Sequence, residues 1–320
     1  MSEKDVRVYG AVPDDGKPDH VALQAAWNAC KHGDTLYLPP GSYRINKGLL
    51  WTADDKVVDV SARFAVIRAY CTEPGPAVTF GGRTQRMVGP RFDGLSIEKG
   101  GSGSQRWDID QTGLQIQHVE SFDLTLGHIT DFYRGLVLTG VVICPRSPIA
   151  VDISGCKYGL SPLLTTPTDW QNRITFAGGR WGGSKCGPTL PPPYDKAWFI
   201  HVPEDFPRGA AGWIFRDIDV ETNFSEGYGF ELGVGGRTEF HGCWFESSPA
   251  KMRFHVGKRC GSVMLVGGVQ DSLDIVADNE STVQLLANGE TIFHGTKPHV
   301  VRGNLQFQGN VTVQPQWQRS

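Results

Sequence analysis

The sequence predicts an all-β chain wound into a parallel β-helix. Three observations lead there: a seven-residue pattern that returns at offsets of 25 residues, a high density of turn residues, and a single segment with helical periodicity. That segment is Pro18-Asp19-His20-Val21-Ala22-Leu23-Gln24-Ala25-Ala26-Trp27-Asn28-Ala29-Cys30, in which Leu23, Ala26, Trp27 and Cys30 recur at i, i+3, i+4 and i+7. Pro18 and Asp19 supply start chemistry and His32-Gly33 a stop, so a helix is expected over 19–31. Two short strands follow, at 35–38 and 42–45, hinged on Pro39-Pro40-Gly41. Beyond them the chain is a succession of short alternating apolar runs broken by Gly, Asn, Asp and Pro.

The repeat carries the argument. Phe215-Arg216-Asp217-Ile218-Asp219-Val220-Glu221 superposes on Phe240-His241-Gly242-Cys243-Trp244-Phe245-Glu246 and then on Leu265-Val266-Gly267-Gly268-Val269-Gln270-Asp271, with an offset of 25 each time. An apolar residue opens each unit and an acid or its equivalent closes it. Earlier copies stand at Phe92-Asp93-Gly94-Leu95-Ser96-Ile97-Glu98 and at Phe176-Ala177-Gly178-Gly179-Arg180-Trp181-Gly182, with looser rungs at 124–130 and 151–156. A fixed period of short strands and turns is the mark of a solenoid whose coils stack ~4.8 Å apart. An unpaired end coil is an exposed sheet edge, so the helix is expected to cap the N-terminus. Alternation in 304–313 is read as a closing hairpin or edge strands. The expected organisation is one domain over 1–320, with a capping segment (1–46), stacked rungs (47–285) and a C-terminal β cap (286–320). Loops are expected at 99–110, 161–171 and 184–196, and function concentrates on long loops of a rigid scaffold.

Composition excludes several classes. Glycine and proline make up 60 of 320 residues, below the roughly 25–30 % of a low-complexity chain, and 39 % apolar residues with nine tryptophans are enough for a core. No run approaches the ~18 apolar residues of a membrane span, and Met1-Ser2-Glu3-Lys4-Asp5 lacks the apolar stretch of a signal peptide. A net charge of −3 with interspersed signs gives no footprint for nucleic acid or anionic membrane. Seven cysteines without CxxC spacing read as free thiols, and nine scattered histidines suggest no metal.

The opening residues resemble the N-terminal signature of the pectate-lyase-like superfamily. They are Val6-Arg7-Val8-Tyr9-Gly10-Ala11, then Asp14-Asp15-Gly16, the helical segment, and Leu36-Tyr37-Leu38-Pro39-Pro40-Gly41-Ser42-Tyr43-Arg44-Ile45. The resemblance implies a right-handed parallel β-helix, the fold of pectin-degrading enzymes, epimerases and bacteriophage tailspikes. Rungs such as 172–176 and 238–246 are most similar to the tailspike branch, which implies a homotrimer, a place in the phage tail and a polysaccharide substrate. The polygalacturonase motif set is absent: Gly127-His128 is followed by Ile129, and Arg173-Ile174 by Thr175. The pectate lyase motif Trp-Ile-Asp-His is absent too, approached only by Trp107-Asp108-Ile109-Asp110. Catalytic residues are therefore not carried over, and no pattern demands calcium or another cofactor.

The candidate chemistry lies in the repeat. With Ile218 and Val220 inward, alternation sends Asp217, Asp219 and Glu221 outward together, with Glu246 one coil above Glu221 and Asp271 above that. Crowded carboxyls raise one another's pKa, and glycoside hydrolysis needs one carboxyl protonated and another ionised. Asp217, Asp219, Glu221 and Glu246 are thus the candidate catalytic set. Trp213, Trp244 and Trp181 are candidate sugar platforms, and Arg216, His241 and Arg237 candidate substrate contacts. An acid at a fixed place in each coil is also a common turn residue, and tryptophans in a solenoid also serve as core. A rival site is Asp108 and Asp110 with Trp107, and a weaker one Asp169-Trp170. The expected function is cleavage of a bacterial surface glycan by acid/base hydrolysis. Alternatives are a non-catalytic glycan-binding tail protein and a lyase or epimerase acting on uronates.

Overall fold

A computed structural model of the protein describes residues 2–101, 107, 109–163, 166, 168–182, 198–203, 206, 211–222, 228–247, 252–270, 273–277, 282–287, 292–293, 300–302 and 304–309; beyond residue 268 the description is of backbone pairing alone. Strand pairings among these residues are parallel and assemble into hydrogen-bonded sheets of 13 and 16 strands. The larger sheet turns a corner. Strand Tyr228–His241 pairs early with Trp198–Val202 and late with Trp213–Arg216. Each coil thus presents three faces: the 13-stranded sheet (first face) and the two wings of the 16-stranded sheet (second and third faces).

The repeat is a register. Phe176, Phe215, Phe240 and Leu265 stand opposite one another on the third face. After a tight corner the chain enters the first face, where Arg180, Asp219 and Trp244 align, as do Gly182, Glu221 and Glu246. The copy closing at Glu98 joins the second of these columns through Thr130, Ser154 and Gly182. The corner explains much of the glycine: Gly178, Asp217, Gly242 and Gly267 occupy the same corner position with φ of 67°, 51°, 62° and 61°. That left-handed conformation suits glycine and is tolerated by aspartate. Their backbone N–H groups form a ladder, Gly178 to Arg216, Asp217 to His241 and Gly242 to Val266, each at 2.9 Å.

The core is stacked as regularly as the backbone. The rings of Phe176, Phe215 and Phe240 stack at 5.0 and 4.9 Å, and Phe230 on Phe254 at 4.1 Å. Cys30, Cys156, Cys243 and Cys260 are buried free thiols, with Cys71 and Cys144 half-buried; Cys186 lies outside the described residues.

The helix runs over His20–Ala29 and buries Leu23, Ala26 and Trp27, with Trp27 stacked on Trp51 at 6.2 Å. Asp19 does not cap it. Its carboxylate accepts instead from Val12 N–H (2.9 Å) and Arg44 N–H (3.1 Å), tying the helix start to the strand Gly41–Ile45. At the other end Lys56 Nζ donates to the carbonyls of Trp27 and Cys30 at 2.9 and 2.8 Å, where the helix dipole favours a cation. Two expectations change. Strand Asn304–Gly309 pairs parallel with Thr282–Ala287, adding a coil rather than closing a hairpin; 310–320 lie outside the described residues. The loop expected over 161–171 is shorter, since Ser161 and Gln171 are buried within strands Tyr158–Leu163 and Trp170–Asn172. Among the described residues no helix is long and apolar enough to cross a membrane.

Candidate functional site

On the first face, Ile218 and Val220 are buried and strand Asp219–Thr222 turns Asp219 and Glu221 outward. Glu246 is exposed directly above Glu221, and Trp244, 48 % exposed, stands above Asp219. Below Asp219 is Arg180, whose Nη2 forms an ion pair with Glu221 Oε2. Arg180 is held in turn by its own backbone N–H, which donates to Asp152 Oδ1 at 2.8 Å. The carboxyl of Asp219 is pushed above the usual range, first by burial and then by the charge of Glu221; Arg180 opposes this, and Glu246 and a hydrogen bond with Glu221 add to it. Asp219 Oδ1 is buried with no hydrogen-bond partner among the described residues. A proton-holding carboxyl thus sits within a group of three acids, one cation and one exposed indole.

Other predicted members stand elsewhere. Asp217 leaves the row because its positive φ breaks the alternation. It is the corner residue, and a Cβ at Gly242 would come within 2.6 Å of its Oδ1. Trp181 and Trp213 are each 1 % exposed and belong to the core, where both pack edge-on against Phe215, so neither is a sugar platform. Trp181 Nε1 donates to the Val151 carbonyl at 3.0 Å. Arg216 and His241 face each other across neighbouring coils at the end of the third face. Glu239 gathers Arg237 and His241, each at 2.7 Å, which ties those two to a carboxylate of their own face. Asp271 and Asp108 lie outside the described residues. Asp169 is buried and accepts from the N–H and hydroxyl of Thr166, a turn role, while Trp170 is 53 % exposed.

Trp107 and Asp110 lead to a group that the sequence reading missed. Trp107 is buried, its Nε1 donating to the Gly155 carbonyl at 3.1 Å, so it is a packing residue at the corner between the first and second faces. Asp110 takes a bidentate pair from Arg134 at 3.0 and 2.9 Å. Arg134 lies 5.4 Å from the ring centres of both Tyr133 and Tyr158. Lys157 Nζ donates to Tyr133 Oη at 3.3 Å and sits 4.7 Å from that ring. The Tyr158 ring lies 4.2 Å from His201, and His201 pairs with Glu231 at 3.2 Å. Burial, reinforced by Tyr133, pushes the Tyr158 phenol up to about 12, and the His201 hydrogen bond lowers Glu231. A signal for this group was present: Tyr133-Arg134 lies over Lys157-Tyr158 at an offset of 24, and Asp110 precedes Arg134 by the same 24.

No family model and no curated protein matches the sequence. Solved structures do match. The alginate lyase from Paenibacillus sp. str. FPU-7 aligns with a TM-score of 0.60 and 14 % identity over 98 % of this chain and 99 % of that one. ORF18 of Geobacillus virus E2 aligns with 0.52 and 14 %, over 97 % of this chain and 61 % of the viral protein. The fold is a right-handed parallel β-helix. The enzymatically active domain of bacteriophage CBA120 tailspike protein 2 shares it, with a TM-score of 0.51 and 13 % identity over 97 % and 47 % of the two chains. This β-helix therefore spans about three fifths of the Geobacillus virus protein and about half of the tailspike domain. At these identities the likeness is one of fold.

Proposed function

We propose that this β-helix binds and cleaves a bacterial surface polysaccharide (capsule, O-antigen or exopolysaccharide) by acid/base hydrolysis on its first face. The observation that carries the reading is the partnerless, buried oxygen of Asp219 in a carboxyl with a raised pKa, beside Glu221 and beneath the exposed Trp244. A carboxyl that keeps its proton donates it to the leaving glycosidic oxygen. Glu246, one coil above Glu221 and about 4.8 Å from it along the stack, supplies the second carboxyl, as nucleophile or as base for water. Trp244 offers a flat apolar face to a sugar ring, and Arg180 fixes Glu221 so that the pair holds its geometry. The names of the structural neighbours, an alginate lyase and a tailspike's enzymatically active domain, support a polysaccharide-acting role, a place in a phage tail and a homotrimeric assembly.

The test is reducing-end release from a panel of capsular and lipopolysaccharide preparations. Asp219→Asn and Glu246→Gln are each expected to lose about 100-fold or more, the contribution of a positioned acid or base. If both variants cleave like the wild type, this site assignment is wrong. A product absorbing near 235 nm would replace hydrolysis by elimination, and glycan binding without release would make the molecule a receptor. Sedimentation equilibrium tests the trimer.

A further inference from the structure

The corner between the first and second faces has a charge arrangement of its own. Arg134 is matched by Asp110 and His201 by Glu231. Lys157 remains: among the described residues no carboxylate stands within ion-pair distance of its ammonium. It is half-buried between two phenols, 4.7 Å from the ring of Tyr133 and 5.5 Å from that of Tyr158. Tyr133 Oη accepts from Lys157, which leaves its own O–H to donate. An ammonium with a phenolic donor beside it is a seat for one anion, and the rings around it offer apolar edges to the molecule that carries the anion.

The position matters as much as the chemistry. Lys157 follows Ser154 by three residues, and Ser154 lies two coils below Glu221 in the same column, through Gly182. Two coils are about 10 Å along the stack. A glycan lying along the first face from the acidic row passes beside this corner. We propose that Lys157, with Tyr133 and Tyr158, is a subsite for the carboxylate of an acidic sugar, so that the glycan bound is a uronate-bearing one. This rests on the reading of the molecule as glycan-binding, but not on the acidic row as its catalytic centre.

The experiment is calorimetric titration of the full chain with hexamers of mannuronate, guluronate and galacturonate, and with a neutral glucose hexamer, at low and moderate salt. At least one uronate hexamer is expected to bind more tightly than the neutral one, and more weakly as salt rises. Lys157→Met is expected to weaken that binding roughly tenfold or more, about 1.4 kcal/mol, and to leave the neutral hexamer unchanged. Lys157→Arg keeps the charge and is expected to retain most of the affinity, which separates a lost contact from a damaged fold. Absence of binding to all three uronates, wild-type affinity in Lys157→Met, or an equal loss for the neutral hexamer would each overturn the assignment. Glu221→Gln is expected to bind the uronate normally. If that variant also cleaves normally, the acidic-row reading falls and the corner stands.

Discussion

The protonation of Asp219 can be tested by removing the cation that opposes it. In Arg180→Met the stem is kept and the guanidinium is lost. Burial and the charges of Glu221 and Glu246 raise the Asp219 pKa, whereas Arg180 lowers it, so the variant's Asp219 holds its proton to higher pH. The size follows from geometry. Arg180 and Asp219 are partners on adjacent strands, about 5 Å apart, and the Arg180 side chain is 58 % exposed. Coulomb's law at 5 Å gives ~0.8 kcal/mol at water's dielectric and ~1.7 kcal/mol at half of it. With 1.36 kcal/mol to one pH unit, the Asp219 titration moves up by about 0.5 to 1 unit. Carboxyl carbon shifts followed by NMR read this without any substrate, and the alkaline limb of cleavage should move with it. Salt adds a check: at 1 M the Debye length is about 3 Å, and the difference between variant and wild type shrinks. A titration that stays put at low salt, or a shift that survives 1 M salt unchanged, refutes the reasoning. Loss of the exposed pair should cost the fold under about 1 kcal/mol, visible as a nearly unchanged Tm.

Further outcomes follow from the same geometry. Because the folded pKa of Asp219 is raised, its ionisation destabilises the native state as pH rises above the unfolded value near 3.9; Asp219→Asn should therefore raise Tm at pH 7 and lose that advantage at pH 3. Trp244→Ala should weaken glycan binding with little change in urea midpoint. Trp181→Ala, in the core, should instead cost about 3–5 kcal/mol of stability. Gly267 and Gly268 both have positive φ, but a Cβ meets nothing within 4 Å at Gly267 and the Cys243 carbonyl oxygen at Gly268. Gly267→Ala should therefore cost about 1–2 kcal/mol and Gly268→Ala distinctly more, by urea unfolding; equal costs would contradict the corner geometry.

The stacking of Phe215, Phe240 and Leu265 was legible because equal coil lengths turn spatial register into constant sequence offset. The copy at Phe176 is in the same register 39 residues before Phe215, and only its internal pattern reveals it. Which carboxyls face out was legible for Asp219 and Glu221, where strict alternation holds. It failed at Asp217, where one left-handed residue turns the chain. The buried tryptophans could not be assigned from composition, since inward or outward placement depends on a one-residue phase. The tyrosine–lysine corner was missed for another reason: its partners come from coils of unequal length, Tyr158 opposite Trp198 at an offset of 40.

The one-coil register also sets a mechanical property. Each coil from Phe215 onward is held by its neighbours above and below and contains 25 residues. Drawn from its C-terminal end, such a chain gives way one coil at a time, with the exposed coil leaving the next as the new end. At roughly 3.4 Å of contour per residue, each event releases about 8.5 nm of chain. A force–extension trace of this region is then a row of evenly spaced teeth, a ruler of the solenoid's own period.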